Sequence, residues 1–195
     1  MRANERRQSV RLKRIAAAKA APGKIDYGSG GPGSPQHLAM AMFASAAGIS
    51  LTHVPYKGAT QAATDVAAGQ IPVAFQGLGT VAALVRGGQV RLIGVTTADR
   101  LAQFPDVPTV SESGLPGFLF NSWFAMLAPA GTPKDIVARL SLEARKALAD
   151  SETRRKLEDL GFAVRGSSPD ELRGMTRDQL AKYGRVIKDM GIASE

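Results

Sequence analysis

The chain has 195 residues, of which 44% are hydrophobic, and this length is sufficient for one ordinary domain or for two small lobes that share a core. It contains no cysteine, which excludes a disulfide framework and thiolate-based metal or redox chemistry. The formal net charge of +8 is concentrated at the N-terminus, where residues 1–20 hold seven basic residues and one acid, so the rest of the chain is nearly balanced.

Residues 1–20 are predicted to form a flexible basic extension. Such an arm could bind nucleic acid or another anionic surface through phosphate contacts that do not depend on sequence. No aromatic residue lies among its charges, and no zinc-finger, homeodomain or RNA-recognition pattern follows, which argues against nucleic acid. The basic start is not followed by the apolar run of a secretory signal, and no segment approaches the roughly 20 apolar residues of a membrane span.

From Lys24 to Thr97, short apolar runs that predict strands alternate with helical patterns. The predicted strands are KIDYGS, SLTHV, QIPVAFQ and VRLIGVTT, and the helices between them are SPQHLAMAMFASAAG, GATQAATDVAAG and GTVAALVRGG. In the first helix, Ser34 is the expected N-cap, Pro35 takes the first position and Gly48 ends the helix. This alternation predicts an α/β fold with a parallel or mostly parallel sheet.

After residue 98 the chain becomes rich in helix. DRLAQFPDVPTVSESGLPGF contains three prolines and is predicted to be a loop with one helical turn at TVSES. The strand FNSWFAMLAP follows, and then the helix GTPKDIVARLSLEARKALAD with Thr132 as N-cap and Pro133 at the first position. The remaining predictions are a capped helix, SETRRKLEDLG, a strand, FAVRG, and a long helix, SSPDELRGMTRDQLAKYGRVIKDMG, interrupted by Gly174 and Gly184.

The first strand-to-helix turn, GSGGPGS, matches the pattern G-x-G-x-x-G at Gly28, Gly30 and Gly33. A dinucleotide site would also need an acid about 20 residues further on to bind the ribose, and no Asp or Glu lies between Asp26 and Asp65. A P-loop would need Gly-Lys-Ser/Thr at the start of the helix, and GSPQ lacks the lysine. Neither a nicotinamide cofactor nor a nucleotide is therefore predicted.

Ser34 and His37 lie three residues apart and are candidates for a nucleophile and its base. No G-x-S-x-G elbow surrounds Ser34, and no carboxylate nearby in the sequence would orient His37. Ser34 is therefore interpreted as a helix cap, and no catalytic residue is predicted. With His37 and His53 as the only histidines and no cysteine, no metal site is predicted either.

A glycine-rich turn that enters a helix points backbone N–H groups at one place, near the positive end of the helix dipole. The candidate donors here are the N–H groups of Gly33, Ser34, Gln36 and His37. This arrangement suits a carboxylate, and the alternative is a merely tight turn.

Two further loops are expected at the same edge of the sheet, because the carboxyl ends of parallel strands meet there. One contains Tyr56 and Lys57, in VPYKG, and the other contains Phe75 and Gln76, in FQG. A lysine at such a place is often only a solvated charge, and a phenylalanine is often part of the core. Together with the glycine-rich turn, the two loops predict a shallow anion site.

Four stretches of the sequence are GKIDYGSGGPGSPQHLAMAMF, LTHVPYKGATQAATDVAAGQIPVAFQ, VRLIGVTTADRLAQFPDVPTVSESGLPGF and SWFAMLAPAGTPKDIVARL. In order and spacing they resemble the extracytoplasmic solute receptors of the tripartite tricarboxylate transporter system, the Bug family. The resemblance runs from about Ala21 to the C-terminus. It implies a periplasmic-binding-protein architecture of two α/β lobes that hold a small organic anion, typically a di- or tricarboxylate. It also implies a protein with no enzymatic activity and no cofactor.

Carried over by position, the family's second-lobe contacts fall on residues 29–34, on His37, and on the loops of Tyr56 and Gln76. With the residues identified above, the predicted ligand-binding set is Ser29, Gly30, Gly33, Ser34, Gln36, His37, Tyr56, Lys57, Phe75 and Gln76. Many relatives have an aspartate where this chain has Gln76, which argues against recognition of a ligand ammonium group at this position.

Family members begin with an export signal and a first lobe, and this sequence matches neither. The chain is therefore interpreted as the basic extension 1–20, a second lobe 21–124, and a segment 125–195 that returns to an incomplete first lobe. An apolar stripe in PKDIVARLSLEARKALAD would then lack its cover, and a homodimer through this segment is one way to bury it.

Two functions follow from these observations. The first is a solute-binding protein, or a truncated remnant of one, that binds a small carboxylate and works with the membrane components of a tripartite tricarboxylate transporter. The alternative is an interaction protein that uses its basic arm on nucleic acid or on an anionic surface. The resemblance implies a periplasmic location, whereas the absence of an export signal implies a cytoplasmic one if the start site is correct.

Overall fold

The computed structural model describes residues 15–189 and 191–192. Most of the predicted basic extension, residues 1–14, lies outside the described residues, and residues 15–20 form a helical segment, α1. The described residues divide into two compact units, residues 15–122 with 191–192 (unit 1) and residues 123–189 (unit 2). The sequence predicts the boundary after Phe124, and the interpretation of the two parts as lobes stays a prediction.

Unit 1 contains a three-stranded sheet in which every strand pair is parallel. The strands are β1 (Asp26–Ser29), β2 (Thr52–Pro55) and β3 (Val73–Ala74), in the order β2-β1-β3. The helices that follow them are α2 (Pro35–Ala47), α3 (Ala59–Ala67) and α4 (Leu78–Arg86). The predicted parallel α/β fold is confirmed. Because β1 is central, its glycine-rich turn lies between the turns that follow β2 and β3.

The predicted ends of α2 are confirmed. Ser34 is the N-cap, and its hydroxyl oxygen accepts a hydrogen bond from the backbone N–H of His37 at 3.3 Å. Pro35 takes the first position, where a missing N–H costs nothing. Gly48 adopts the left-handed conformation that ends many helices. The sequence pattern alone was therefore sufficient to define this helix.

The fourth predicted strand, VRLIGVTT, is not formed as a strand. Its one ladder contact among the described residues is an isolated parallel bridge between Val95 and Thr109, in which Val95 donates to the carbonyl of Pro108. This bridge joins the segment to the proline-containing loop. The predicted helical turn in TVSES is present as a 3₁₀ turn, Ser111–Ser113.

Unit 2 consists of three helices joined by irregular segments. The helices are α5 (Lys134–Ala149), α6 (Ser151–Asp159) and α7 (Pro169–Asp189). The strands predicted in FNSWFAMLAP and FAVRG are absent, and both stretches are irregular. A strand forms only where a neighbour accepts its backbone hydrogen bonds, and the described part of unit 2 contains no strand to do so.

Two details of the helical predictions are also wrong. The N-cap of α5 is Pro133 and not Thr132, because the Thr132 hydroxyl donates to the carbonyl of Pro129 at 2.8 Å. Helix α7 continues through Gly174 and Gly184 without a break. A glycine inside a helix costs only about 1 kcal/mol relative to alanine, which the remaining residues of a long helix can offset.

The two units differ in how much apolar surface they bury. The hydrophobic core, which includes Tyr27, Met40 and Ile71, belongs to unit 1. None of the residues of α5, α6 and α7 is buried in the described structure. Phe124 and Leu127 are 84% and 82% exposed, so unit 2 leaves large apolar side chains in water. Within the described residues, no helix has both the length and the apolar character needed to span a membrane.

Candidate functional site

The glycine-rich turn between β1 and α2 satisfies most of its own N–H groups. Gly33 donates to Nδ1 of His37 at 3.2 Å, and Ser34 donates to the carbonyl of Gly31 at 3.2 Å. The N–H of His37 donates to Ser34, as described above. The expectation that these three N–H groups are free is therefore wrong, because the turn closes on itself. The N–H of Gln36 has no partner among the described residues.

The turn lies against the N-terminus of α3, and glycine at position 30 makes this approach possible. A Cβ atom on Gly30 would lie 3.3 Å from the backbone nitrogen of Ala59, 3.3 Å from Oε1 of Gln36 and 3.6 Å from Cβ of Ser34. The space beside Gly30 is therefore lined by a free backbone N–H, a side-chain amide and a hydroxyl-bearing residue. The sequence prediction missed Ala59, although the glycine before it in VPYKGA is typical of a helix N-terminus.

The three helix N-termini at this edge of the sheet carry no compensating negative charge. The first turns of α2, α3 and α4 contain no acidic residue. The N-caps of α3 and α4 are Gly58 and Gly77, and neither helix has a side-chain cap. No capping side chain therefore accepts a hydrogen bond from the first N–H groups of α3 and α4. The positive ends of these helix dipoles remain uncompensated. This edge of the sheet favours an anion.

The loop after β2 carries Tyr56 and Lys57. The Tyr56 hydroxyl donates to Oδ2 of Asp65 at 2.7 Å, and this hydrogen bond, with burial and the charge of Asp65, raises the pKa of Tyr56. The hydroxyl can still accept a hydrogen bond, but its proton is already used. Lys57 is exposed and makes no ion pair or hydrogen bond within the described residues. It adds positive charge to this side of the site.

The loop after β3 carries Phe75 and Gln76. Phe75 packs edge-on against Phe43 of α2, with the ring centroids 6.0 Å apart. Both polar atoms of the Gln76 side chain are buried, and neither has a hydrogen-bond partner among the described residues. Burial of an unpaired amide is costly. Gln76 therefore has unused capacity for one acceptor and for two N–H donors.

Ser29 and His53 form a cluster that the sequence analysis did not find. Ser29 is fully buried, and its Oγ lies 2.6 Å from Nε2 of His53. The His53 ring stacks on His37 at a centroid distance of 4.0 Å, and Tyr27 stacks on His53 at 5.0 Å. The parallel register, which places Tyr27 beside His53, was the missing information. The structure thus makes Ser29 an anchor beneath the turn.

Metal coordination is not supported by the described residues. Within residues 15–189 and 191–192, no three His, Asp or Glu side chains come together in a group that could hold a metal ion. Burial lowers the pKa of His37 and of His53, so both imidazoles favour the neutral form.

The chain matches the family described as the tripartite tricarboxylate transporter family receptor over residues 8–192. A relative from Pseudomonas sp. (strain P51), described as a UPF0065 protein in the tcbD-tcbE intergenic region, is 36% identical over 174 residues. That alignment covers 89% of this chain and 52% of the relative. The chain therefore spans about half the length of this curated relative.

Solved structures show the same fold. The R. palustris protein Rpa4515, solved with adipate, superposes with a TM-score of 0.88 at 32% identity, covering 93% of this chain and 61% of that one. MatC from Rhodopseudomonas palustris, solved with bound malate, gives a TM-score of 0.82 at 26% identity, covering 90% of this chain and 61% of that one. This fold is the predicted periplasmic-binding-protein-like architecture.

Proposed function

Because the chain belongs to the tripartite tricarboxylate transporter receptor family, whose members are periplasmic solute receptors and not enzymes, we propose that it binds a small organic carboxylate. The site is the edge of the sheet in unit 1 where the glycine-rich turn meets the N-termini of α2, α3 and α4. The observation that carries the proposal is the absence of acidic residues and side-chain caps that would neutralise α3 and α4. A carboxylate supplies the missing negative charge and the missing acceptors.

The geometry around Gly30 supplies the first contacts. The backbone nitrogen of Ala59 and Oε1 of Gln36 border the space that a side chain at position 30 would fill. The Ser34 hydroxyl oxygen accepts from His37, and its own proton is therefore available for donation. Because Oε1 of Gln36 is an acceptor, the donors here are the N–H of Ala59 and the Ser34 hydroxyl; with the charge of Lys57 nearby in the chain, they match the two oxygens of one carboxylate.

Gln76 defines the second part of the ligand. Its buried amide is neutral, and it offers both an acceptor and N–H donors. An amide of this kind pairs with a hydroxyl or a second carboxylate on the ligand, and it lacks the negative charge that an ammonium group would need. We therefore assign the ligand to di- and tricarboxylates without an amino group. Adipate and malate, which the solved relatives bind, are of this class.

The proposal extends to the cellular role. Receptors of this family work with the membrane components of the tripartite transporter, and the same partners in the periplasm are proposed for this protein.

We also propose that two copies of the chain associate through the exposed apolar residues of unit 2. Phe124, Leu127 and Leu180 are the most exposed of these side chains.

The test is isothermal titration of the full chain with malate, adipate and citrate. The donors described all lie on one side of the ligand, so binding is expected to be weak, with a Kd of about 1 mM, equivalent to about −4 kcal/mol. The absence of heat with all three compounds at millimolar concentration would exclude the proposed function for this chain.

Two substitutions at position 33 separate charge from shape. Gly33 has φ of +68° and open space around it, so both Asp and Asn can replace it, as both tolerate this backbone conformation. Gly33→Asp is expected to abolish binding by placing a negative charge at the turn, whereas Gly33→Asn is expected to retain binding. A third variant, Gly30→Ala, fills the space beside Ala59 and is expected to abolish binding without any change in charge. Equal affinities for the Asp and Asn variants would contradict the electrostatic argument.

A further inference from the structure

His53 contacts both ends of the glycine-rich turn, although it belongs to a different strand and to none of the loops of the proposed ligand site. The first contact passes through Ser29, whose Oγ lies 2.6 Å from Nε2 of His53. The same oxygen accepts from the N–H of Gly31 at 3.0 Å and lies 3.1 Å from its carbonyl oxygen. Ser29 therefore fixes both backbone polar groups of Gly31, and His53 fixes Ser29.

The second contact passes through His37. The two imidazole rings are nearly parallel, with an interplanar angle of 14° and a centroid separation of 4.0 Å. Nδ1 of His37 accepts a hydrogen bond from the N–H of Gly33 at 3.2 Å. The position of the His37 ring, and with it the hydrogen bond to Gly33, therefore depends on the ring of His53 beneath it.

Both contacts depend on the protonation state of the histidines. A hydroxyl has a single proton, so Ser29 can donate either to Nε2 of a neutral His53 or to the carbonyl of Gly31. A cationic His53 carries a proton on Nε2, and the Ser29 proton must then go to Gly31. A cationic His37 carries protons on both ring nitrogens and cannot accept from Gly33 at all.

The surroundings of the pair oppose a positive charge. Burial lowers the pKa of both imidazoles, and the proximity of His37 lowers that of His53 further. Tyr27 of β1 is the other titratable group against the pair, and burial raises its pKa to about 12, so it stays neutral while the histidines titrate. Within the described residues, no carboxylate or further cation contributes to either shift.

We infer that His53 is a positioning residue that holds the glycine-rich turn in one geometry through Ser29 and His37, and that acid changes this geometry: a cationic His37 releases the N–H of Gly33, and a cationic His53 directs the Ser29 proton to the carbonyl of Gly31. With folded-state pKa values below 6.5, the neutral arrangement is complete above this pH, and the hydrogen bond from Gly33 to His37 is lost as the pH falls through the folded-state values. The relevance of this role of His53 to ligand binding rests on the proposed function, because the turn is part of the proposed carboxylate site. The hold itself is a property of the ligand-free protein.

The test is nuclear magnetic resonance of the ligand-free full chain, in which the amide signals of Gly31 and Gly33 are followed from about pH 7.5 to about pH 5. Both signals are expected to shift with the midpoints of the His53 and His37 ring protons, below 6.5. Amide signals that do not move with either ring would overturn the inference. Because no ligand is present, this result is independent of whether a carboxylate binds.

Two variants of His53 separate its two contacts. His53→Gln places an amide within reach of Ser29 but removes the titrating group, and Gly31 is expected to keep its signal at about pH 7.5 and to lose its pH response. His53→Phe retains an aromatic ring against His37 but removes the hydrogen bond to Ser29. Hydrogen exchange at Gly31 is then expected to accelerate by up to about tenfold. An unchanged titration of Gly31 in His53→Gln would contradict the inference even if His53→Phe failed to fold.

Discussion

Replacement of Gly28 by alanine tests how closely β1 packs against α3. A Cβ atom at this position would lie 2.4 Å from Cδ1 of Ile71, 3.0 Å from Cβ of Ala62 and 3.3 Å from Cε2 of Tyr56. Ile71 and Ala62 are 5% and 0% exposed, so neither can move into solvent. The end of the Ile71 side chain can shift, but the Ala62 methyl is attached directly to a helix backbone. Gly28→Ala therefore creates a clash that only a displacement of α3 would relieve completely.

The expected cost follows from two opposing effects. Insertion of a methyl group into a packed core costs about 1–3 kcal/mol. Alanine also restricts the unfolded chain, which stabilises the folded state by about 0.4–1 kcal/mol. The net loss in the free energy of unfolding is about 1–2 kcal/mol, which corresponds to a fall in Tm of about 2–8 °C for a chain of this length. Urea unfolding followed by circular dichroism measures it.

A double-mutant cycle locates the clash. Ile71→Val removes Cδ1 and alone costs about 0.5–1.5 kcal/mol. If the clash is with Ile71, Gly28→Ala combined with Ile71→Val is less destabilised than the sum of the single changes, because the inserted methyl occupies the space that Cδ1 left. Gly174→Ala serves as the control, since nothing lies within 4 Å of that position and alanine favours a helix. An unchanged Gly28→Ala midpoint would refute the packing argument, and an additive cycle would exclude Ile71 as the source of the clash.

Two predictions concern the cap of α2 and the surface of unit 2. Ser34→Ala removes the hydrogen bond to His37 and is expected to cost about 0.5–2 kcal/mol in urea unfolding. The wild type is expected not to hydrolyse ester or phosphate substrates. Hydrolysis by the wild type but not by Ser34→Ala would show that Ser34 is a catalytic residue. If two copies bury Phe124 and Leu127 against each other, light scattering at micromolar concentration gives the mass of a dimer, and residues 130–189 resist limited proteolysis. A monomer would contradict the proposed association, and full protection of those residues in a monomer would show that they need no partner copy.

The strand predictions show where sequence patterns are reliable. KIDYGS, SLTHV and QIPVAFQ became β1, β2 and β3, because each has a parallel neighbour in unit 1. FNSWFAMLAP has an equally apolar pattern and remains irregular. An alternating apolar pattern favours an extended backbone, but a β-strand forms only when a neighbouring strand pairs with it. VRLIGVTT forms one isolated bridge among the described residues and no strand.

The site shows a similar division. The sequence predicts an anion-binding turn, because glycine-rich turns that enter helices have known geometry, and this stays a prediction. The sequence could not show that Gly33 and Ser34 use their N–H groups within the turn, or that the backbone nitrogen of Ala59 lies beside Gly30. It could not reveal that Gln76 buries an unpaired amide. These facts depend on which loops lie side by side.

By itself, the sequence determined the parallel α/β order, the two ends of α2, and the residues that carry the resemblance to the receptor family. Each of these depends on contacts between residues close in the chain, or on motifs that can be read directly. The tertiary structure alone decided that Ser29 and His53, 24 residues apart, share a hydrogen bond. The reason is the register of β1 and β2, which places Tyr27 opposite His53 and is set by pairing across the sheet.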